Sequence, residues 1–208
     1  MSEEVETIQK NNCTIKIYQD ENPESPREWD NLGTMVCFHS RYNLGDEKHG
    51  FYNPDDLQEF LNENKGKVIS LPLYLYDHSG ISMSTGRAYP FNCPWDSGQV
   101  GIIYITYEKI RKEYNWKHIT KERKQKIISY LQGEVETYDQ YLRGDVYGYD
   151  VICDKCGENI SSCWGFYGSN WKENGILEQA YTTCDTCKEE TRINQEIETR
   201  LDSVLEFV

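Results

Sequence analysis

Residues 68–76 read VISLPLYLY and residues 100–106 read VGIIYIT, the two most apolar stretches of the chain. Runs of seven to nine residues this rich in β-branched and aromatic side chains are too short for a buried helix, and they predict central strands. Pro72 lacks an amide donor, so it implies an edge or a bulge within the first of them. Outward from these strands, residues 14–19 (TIKIYQ) alternate polar and apolar, as a half-buried strand does, and residues 35–39 predict a second short strand. Between them the NPESP of residues 22–26 breaks the chain. Asn53, Pro54 and the acidic turn that follows predict a helix through DDLQEFLNEN, because a side-chain cap, a first-turn proline and a negative first turn all suit a helix N-terminus.

Thr106 caps a predicted helix ending near Tyr114, and Thr120 caps a longer one over 121–142 that stops before Gly144. Ile127, Ile128, Leu131, Val135, Tyr138 and Leu142 step by three and four and give that helix one buried face. Gly133 inside it costs about 1 kcal/mol against alanine and marks a place where it can break. Residues 145–152 (DVYGYDVI) and 163–167 (CWGFY) predict the two arms of a hairpin. A short helix is expected near 173–180 and a last one over 185–206. Strands and helices interleave without a regular βαβ repeat. The predicted class is therefore α+β, an antiparallel or mixed sheet with several helices and a C-terminal zinc-ribbon-like module. The predicted division is an α+β core over 1–144 and, over 145–208, a zinc-binding hairpin plus C-terminal helix packed on that core.

The zinc expectation rests on Cys153-Asp-Lys-Cys156-Gly and Cys184-Asp-Thr-Cys187. Each C-x-x-C turn brings two sulfurs to one side of a tight loop, and Gly157 frees backbone amides to donate to the thiolates. Two turns supply four soft ligands, which is what a tetrahedral structural Zn²⁺ site requires. With 27 intervening residues the gap is longer than in compact zinc ribbons. Cys163, the other thiol near these turns, sits among apolar strand residues and is expected to be packed. Such a site has no open coordination position, so it serves folding rather than hydrolysis.

The 208 residues include 35 acidic and 22 basic side chains, for a net charge of −13. Residues 1–63 carry −9, residues 64–144 carry +4, and residues 145–208 carry −8. A duplex-DNA binder held by bulk charge is excluded, since such proteins gain affinity by neutralising phosphates. The one basic stretch holds Lys109, Arg111, Lys112, Lys117, Lys121, Arg123, Lys124 and Lys126. It reads as a solvated helical face, with a patch for phosphate or an acidic partner as the alternative. Aromatics at 13% argue against disorder. No apolar run approaches the roughly 20 residues that span a bilayer, and the N-terminus lacks a signal-peptide core, so a cytoplasmic protein is expected.

Candidates for catalysis are His39, Asp77, His78 and Asp96, which lie at strand ends and are the types a metal-dependent hydrolase or nuclease uses. Asp77-His78-Ser-Gly is equally the sequence of an Asx-type turn, and no nucleophile-elbow, zincin or phosphate-loop fingerprint accompanies it. Cys93 beside Pro94 and Trp95 is a weaker candidate, a nucleophile near His78. Aromatics including Tyr147, Trp164, Phe166 and Trp171 cluster around the cysteine turns, most of them expected in a core and a few as anchors for a partner.

The runs WDNLGTMVCFHSRYNLGDE (29–47), LPLYLYDHSGISM (71–83), CPWDSGQVGIIYIT (93–106), ETYDQYLRGDVYGY (136–149) and SCWGFYG (162–168) together resemble a family of small accessory proteins carried by bacteriophages, prophages and plasmids. The resemblance covers most of residues 14–170. Family members carry an acidic turn where this chain has CDKCG, so the zinc module is a variation here. The resemblance implies a counter-defence setting of anti-CRISPR or antirestriction type. The expected function is stoichiometric binding, without catalysis, to a host defence protein such as a CRISPR effector or restriction nuclease, through an acidic surface. The alternatives are the hydrolase above and a zinc-ribbon regulator that binds nucleic acid through the bases of 109–126.

Overall fold

The computed structural model of the protein describes residues 2–86, 95–189, 192–193 and 195–197. The fold is α+β, with two four-stranded antiparallel sheets and several helices. The chain divides into two units, one of residues 1–22 with 146–208 and the other of residues 23–145.

The unit of residues 23–145 is built on strands β3 (Thr34–Cys37), β4 (Val68–Asp77), β5 (Ile81–Thr85) and β6 (Ser97–Thr106), in the order β3-β6-β4-β5. Helix α3 (Lys121–Leu142) packs Ile127, Leu131, Val135 and Tyr138 against Met35, Leu73, Ile103 and Ile105. On the opposite face Leu57 of helix α1 (Pro54–Glu63) meets Val36 and Ile102, with Phe51 and Tyr104 beside them. Both faces of β6 are therefore covered, which is why its sequence is a continuous apolar run rather than an alternation. Asn53 caps α1 by accepting from the Asp56 amide at 2.9 Å. Thr106 and Thr120 cap α2 (Tyr107–Tyr114) and α3 in the same way. Helix α3 runs unbroken through Gly133.

Pro72 lies where the β4 ladder is least demanding. Pairing with β5 begins only at Leu73, and the register with β6 shifts between Leu73 and Tyr74. Gly101 of β6 is fixed by close approach. A Cβ there would stand 1.8 Å from the Val36 carbonyl oxygen of β3. Gly101→Ala is expected to cost at least about 1–3 kcal/mol, because backbone cannot yield as a side chain can. An unchanged urea midpoint would contradict this contact.

The other unit contains β1 (Glu4–Lys10), β2 (Cys13–Gln19), β7 (Val146–Cys153) and β8 (Asn159–Tyr167), in that order across the sheet. Ile15, Ile17, Tyr149, Val151 and Phe166 form one buried face with Ile176 of the short helix α4 (Ile176–Gln179). The division expected after residue 144 left residues 1–22 with the first part of the chain. They pair instead with β7, because Ile15 and Ile17 complete the apolar face that Val151 and Tyr149 begin. Strand β1, which local patterning did not single out, is an exposed edge that buries none of its residues. Its turn into β2 uses Asn11 and Asn12, both at positive φ, the conformation that tight hairpins demand. The last helix is present over 185–189, 192–193 and 195–197, and its expected end near 206 lies outside the described residues. Among the described residues no helix is long and apolar enough to cross a membrane.

Candidate metal centre

Cys153 is the last residue of β7, and the chain turns back at once into β8. The Gly157 amide donates to the Cys153 carbonyl at 2.8 Å, and the Cys153 amide donates to the Glu158 carbonyl at 2.9 Å. Gly157 closes this turn at φ +76°, a conformation that a side chain would strain. The amides of Cys156 and Lys155 point at the Cys153 sulfur and hold its pKa down to about 7. Cys184 precedes the helical residues 185–189, where the Lys188 amide donates to its carbonyl at 3.2 Å, so Cys187 falls in the first helical turn.

These two local structures bring four sulfurs together. Cys153 Sγ lies 3.7 Å from Cys187 Sγ, and Cys156 Sγ lies 3.6 Å from Cys184 Sγ. All four lie within 4.8 Å of one another, a group that can hold a metal ion. Sulfurs on a tetrahedron with metal bonds of about 2.3 Å stand about 3.8 Å apart, close to the two shortest contacts here. The electrostatics carry the same demand. The Glu158 amide favours the Cys156 thiolate, yet burial and the Cys153 and Cys184 thiols outweigh it and push the Cys156 pKa up. Burial, followed by the Cys156 and Cys184 thiols, pushes Cys187 up as well. Four thiolates this close repel one another, and a cation at their centre removes the penalty. Glu158 Oε2 accepts from Thr186 Oγ1 at 2.8 Å and pins the second turn beside the first. Cys163 lies outside the group. It is half-buried on β8, where its sulfur accepts from Gln179 Nε2 at 3.7 Å.

The candidate catalytic residues converge in part. His39, Asp77 and Asp96 line one cavity of about 450 Å³ in the unit of residues 23–145. His78 Nδ1 lies 3.4 Å from Asp96 Oδ2. Their polar atoms already have partners. Asp77 pairs with Arg41 and accepts from the Tyr42 hydroxyl at 3.3 Å. His39 Nδ1 accepts the amides of Arg41 and Tyr42 at 3.2 and 3.3 Å. Among the described residues the four cysteines are the group of donors close enough to share a metal ion, and these histidines and carboxylates are not part of one. Cys93 lies outside the described residues.

Asp46 belongs to a part-buried ionic group. Arg27 Nε donates to Asp46 Oδ1 at 2.7 Å, Nη1 to Glu134 Oε2 at 3.0 Å and Nη2 to the Gly33 carbonyl at 2.9 Å. The spacing of these residues in the sequence carries no local signal for the group. The basic stretch is also tied down in part. Lys109 Nζ donates to the Asn31 carbonyl at 2.8 Å, and Arg123 donates to the His118 carbonyl at 2.7 Å while lying over the Trp116 ring. Arg111 lies over Tyr107 and Lys126 over Tyr130. Lys112, Lys117, Lys121 and Lys124 are exposed.

No family model, no curated protein and no solved structure matches the chain.

Proposed function

We propose that the four thiolates hold Zn²⁺ as a structural ion, and that the chain is a phage-encoded inhibitor of a bacterial defence nuclease, acting in the host cytoplasm by stoichiometric protein binding. The observation that carries this reading is where the charge lies. The unit that contains the four cysteines has 17 acidic and 7 basic residues, net −10, whereas residues 23–145 have 18 and 15, net −3. Four thiolates on Zn²⁺ add about −2 to the first figure. A closed site has no position for substrate, so its product is a rigid acidic surface. Such a surface suits a basic, nucleic-acid-handling partner, with carboxylates standing where phosphates would bind and complementary charge speeding encounter. The resemblance to mobile-element accessory proteins supplies the counter-defence setting and makes a CRISPR effector or restriction nuclease the first candidate.

The test is pull-down against a panel of purified CRISPR effectors and restriction nucleases, followed by a DNA-cleavage assay. Failure to bind or inhibit every member sinks the proposal. Glu3, Glu173 and Glu178 are exposed on the acidic unit. The triple variant Glu3→Lys/Glu173→Lys/Glu178→Lys is expected to slow association about tenfold or more at low salt, with zinc content unchanged. An unaltered association rate would place the contact elsewhere.

The cavity shared by His39, Asp77 and Asp96, with His78 beside it, supports a second reading, a hydrolase or nuclease. The engagement of Asp77 and His39 by Arg41 and Tyr42 is what the first reading expects of strand-end residues.

A further inference from the structure

Cys13 is a fifth thiol at the same end of the β1-β2-β7-β8 sheet. It stands opposite Cys153 in the β2–β7 ladder. Beyond that pair the Asp154 amide donates to the Asn12 carbonyl at 3.0 Å. In an antiparallel ladder a bond between those two flanking residues makes Cys13 and Cys153 a non-hydrogen-bonded pair, the kind whose side chains approach most closely. Such pairs hold their Cα atoms about 4.5 Å apart, inside the span of about 4.4–6.8 Å that a disulfide bridges. The Cys13 thiol donates to the Thr182 carbonyl at 3.6 Å, and the two cysteines are only 2% and 3% exposed. A cavity of about 750 Å³ is lined by Cys13, Cys153, Cys184 and Cys187, so a molecule the size of a peroxide reaches the pair. Packing alone asks for a small apolar residue at position 13, and it does not ask for a thiol in register with a metal-binding one.

We propose that Cys13 and Cys153 form an oxidation site, at which hydrogen peroxide converts them to a cross-strand disulfide and takes Cys153 out of the four-thiol group. The Cys153 sulfur attacks one peroxide oxygen, the O–O bond breaks, and Cys153 becomes a sulfenic acid with release of one water. The Cys13 sulfur then attacks the Cys153 sulfur. The S–S bond forms, the S–O bond breaks, and the hydroxyl leaves as a second water with the Cys13 proton. Two thiols lose two electrons and one hydrogen peroxide gains them. Cys13 is suited to the second step because it is not one of the four grouped sulfurs, so its lone pairs are not committed to a metal. The loss of one ligand of four then releases the ion. The release follows only if the zinc reading above holds, whereas the disulfide does not depend on it.

The experiment treats the purified full chain with one equivalent of hydrogen peroxide, blocks free thiols with N-ethylmaleimide and maps linked peptides by mass spectrometry. A chromogenic chelator records metal release in parallel. The expected result is a Cys13–Cys153 linked peptide that rises with metal release, and slower release from Cys13→Ser. Cross-links confined to Cys153, Cys156, Cys184 and Cys187, with Cys13 fully alkylated, would overturn the assignment. Elemental analysis before oxidation separates the two readings. A protein without zinc that still forms the Cys13–Cys153 link removes the metal and keeps the oxidation site. If Cys13→Ser does not fold, the wild-type peptide map decides alone.

Discussion

Cys184→Ser/Cys187→Ser is expected to lose the zinc proposed for the four-thiol group, about one ion per chain, and with it the order of the β1-β2-β7-β8 sheet. The reason is the size of the core. Among the described residues that unit buries Cys13, Ile15, Ile17, Tyr147, Tyr149, Val151, Phe166, Ile176 and Ala180 as one cluster, and the helix that packs on it, α4, has four residues. A core this small contributes little beyond the entropy cost of ordering its chain, and in the proposed reading a structural ion makes up the difference. Structural zinc in small modules binds with an apparent free energy of about 10–16 kcal/mol near neutral pH, most of which appears as folding free energy. Hydrogen exchange is the discriminating measurement. Amides of β7 and β8 should lose protection, while those of β4 and β6, held by the separate cluster around Ile103 and Leu131, should keep theirs. Native-like protection in β7 of the double variant, or no zinc in the native protein, would end the structural-zinc reading.

The second large effect is expected at Arg27. Its side chain is 3% exposed, and burial penalises its charge. Asp46 and Glu134 outweigh that penalty and hold its pKa above the ordinary value. The two carboxylates also orient the entry to β3. Asp46 Oδ2 accepts the Met35 amide at 3.0 Å, and Glu134 Oε1 accepts the amides of Leu32 and Gly33 at 2.8 and 3.1 Å. Arg27→Ala leaves two part-buried carboxylates without a counter-charge and should destabilise the protein by about 3–5 kcal/mol. Arg27→Lys should recover little of it, because one ammonium cannot match three donors aimed at three acceptors. Urea unfolding of both variants is the check. A loss below about 1 kcal/mol, the scale of a surface ion pair, would mean the group is solvated.

Features set by residues close in sequence were the legible ones. The caps at Asn53, Thr106 and Thr120, the buried stripe of α3 and the bulge near Pro72 each depend on residues within a few positions of one another, and each is present. The metal-competent group was legible for the same reason, since each C-x-x-C turn is a local structure. Strand β1 was not legible. It is an exposed edge whose partner, not its own pattern, makes it a strand, and its one local signal is the Asn11-Asn12 turn. The Arg27 group joins three residues distant in sequence, and no spacing rule connects them.

Two C-x-x-C turns, two apolar strand runs and a set of helix caps determined, from the sequence alone, that the chain is α+β and carries four thiols able to share an ion. Only the tertiary structure decided which parts belong together. The pairing of β2 with β7 follows from the match of Ile15 and Ile17 to Val151 and Tyr149 across a ladder, a contact between residues far apart in sequence. That pairing gathers much of the charge of the two acidic ends into one unit and sets Cys13 against Cys153. Local preferences fix an element, but burial of one apolar face against another chooses its neighbour.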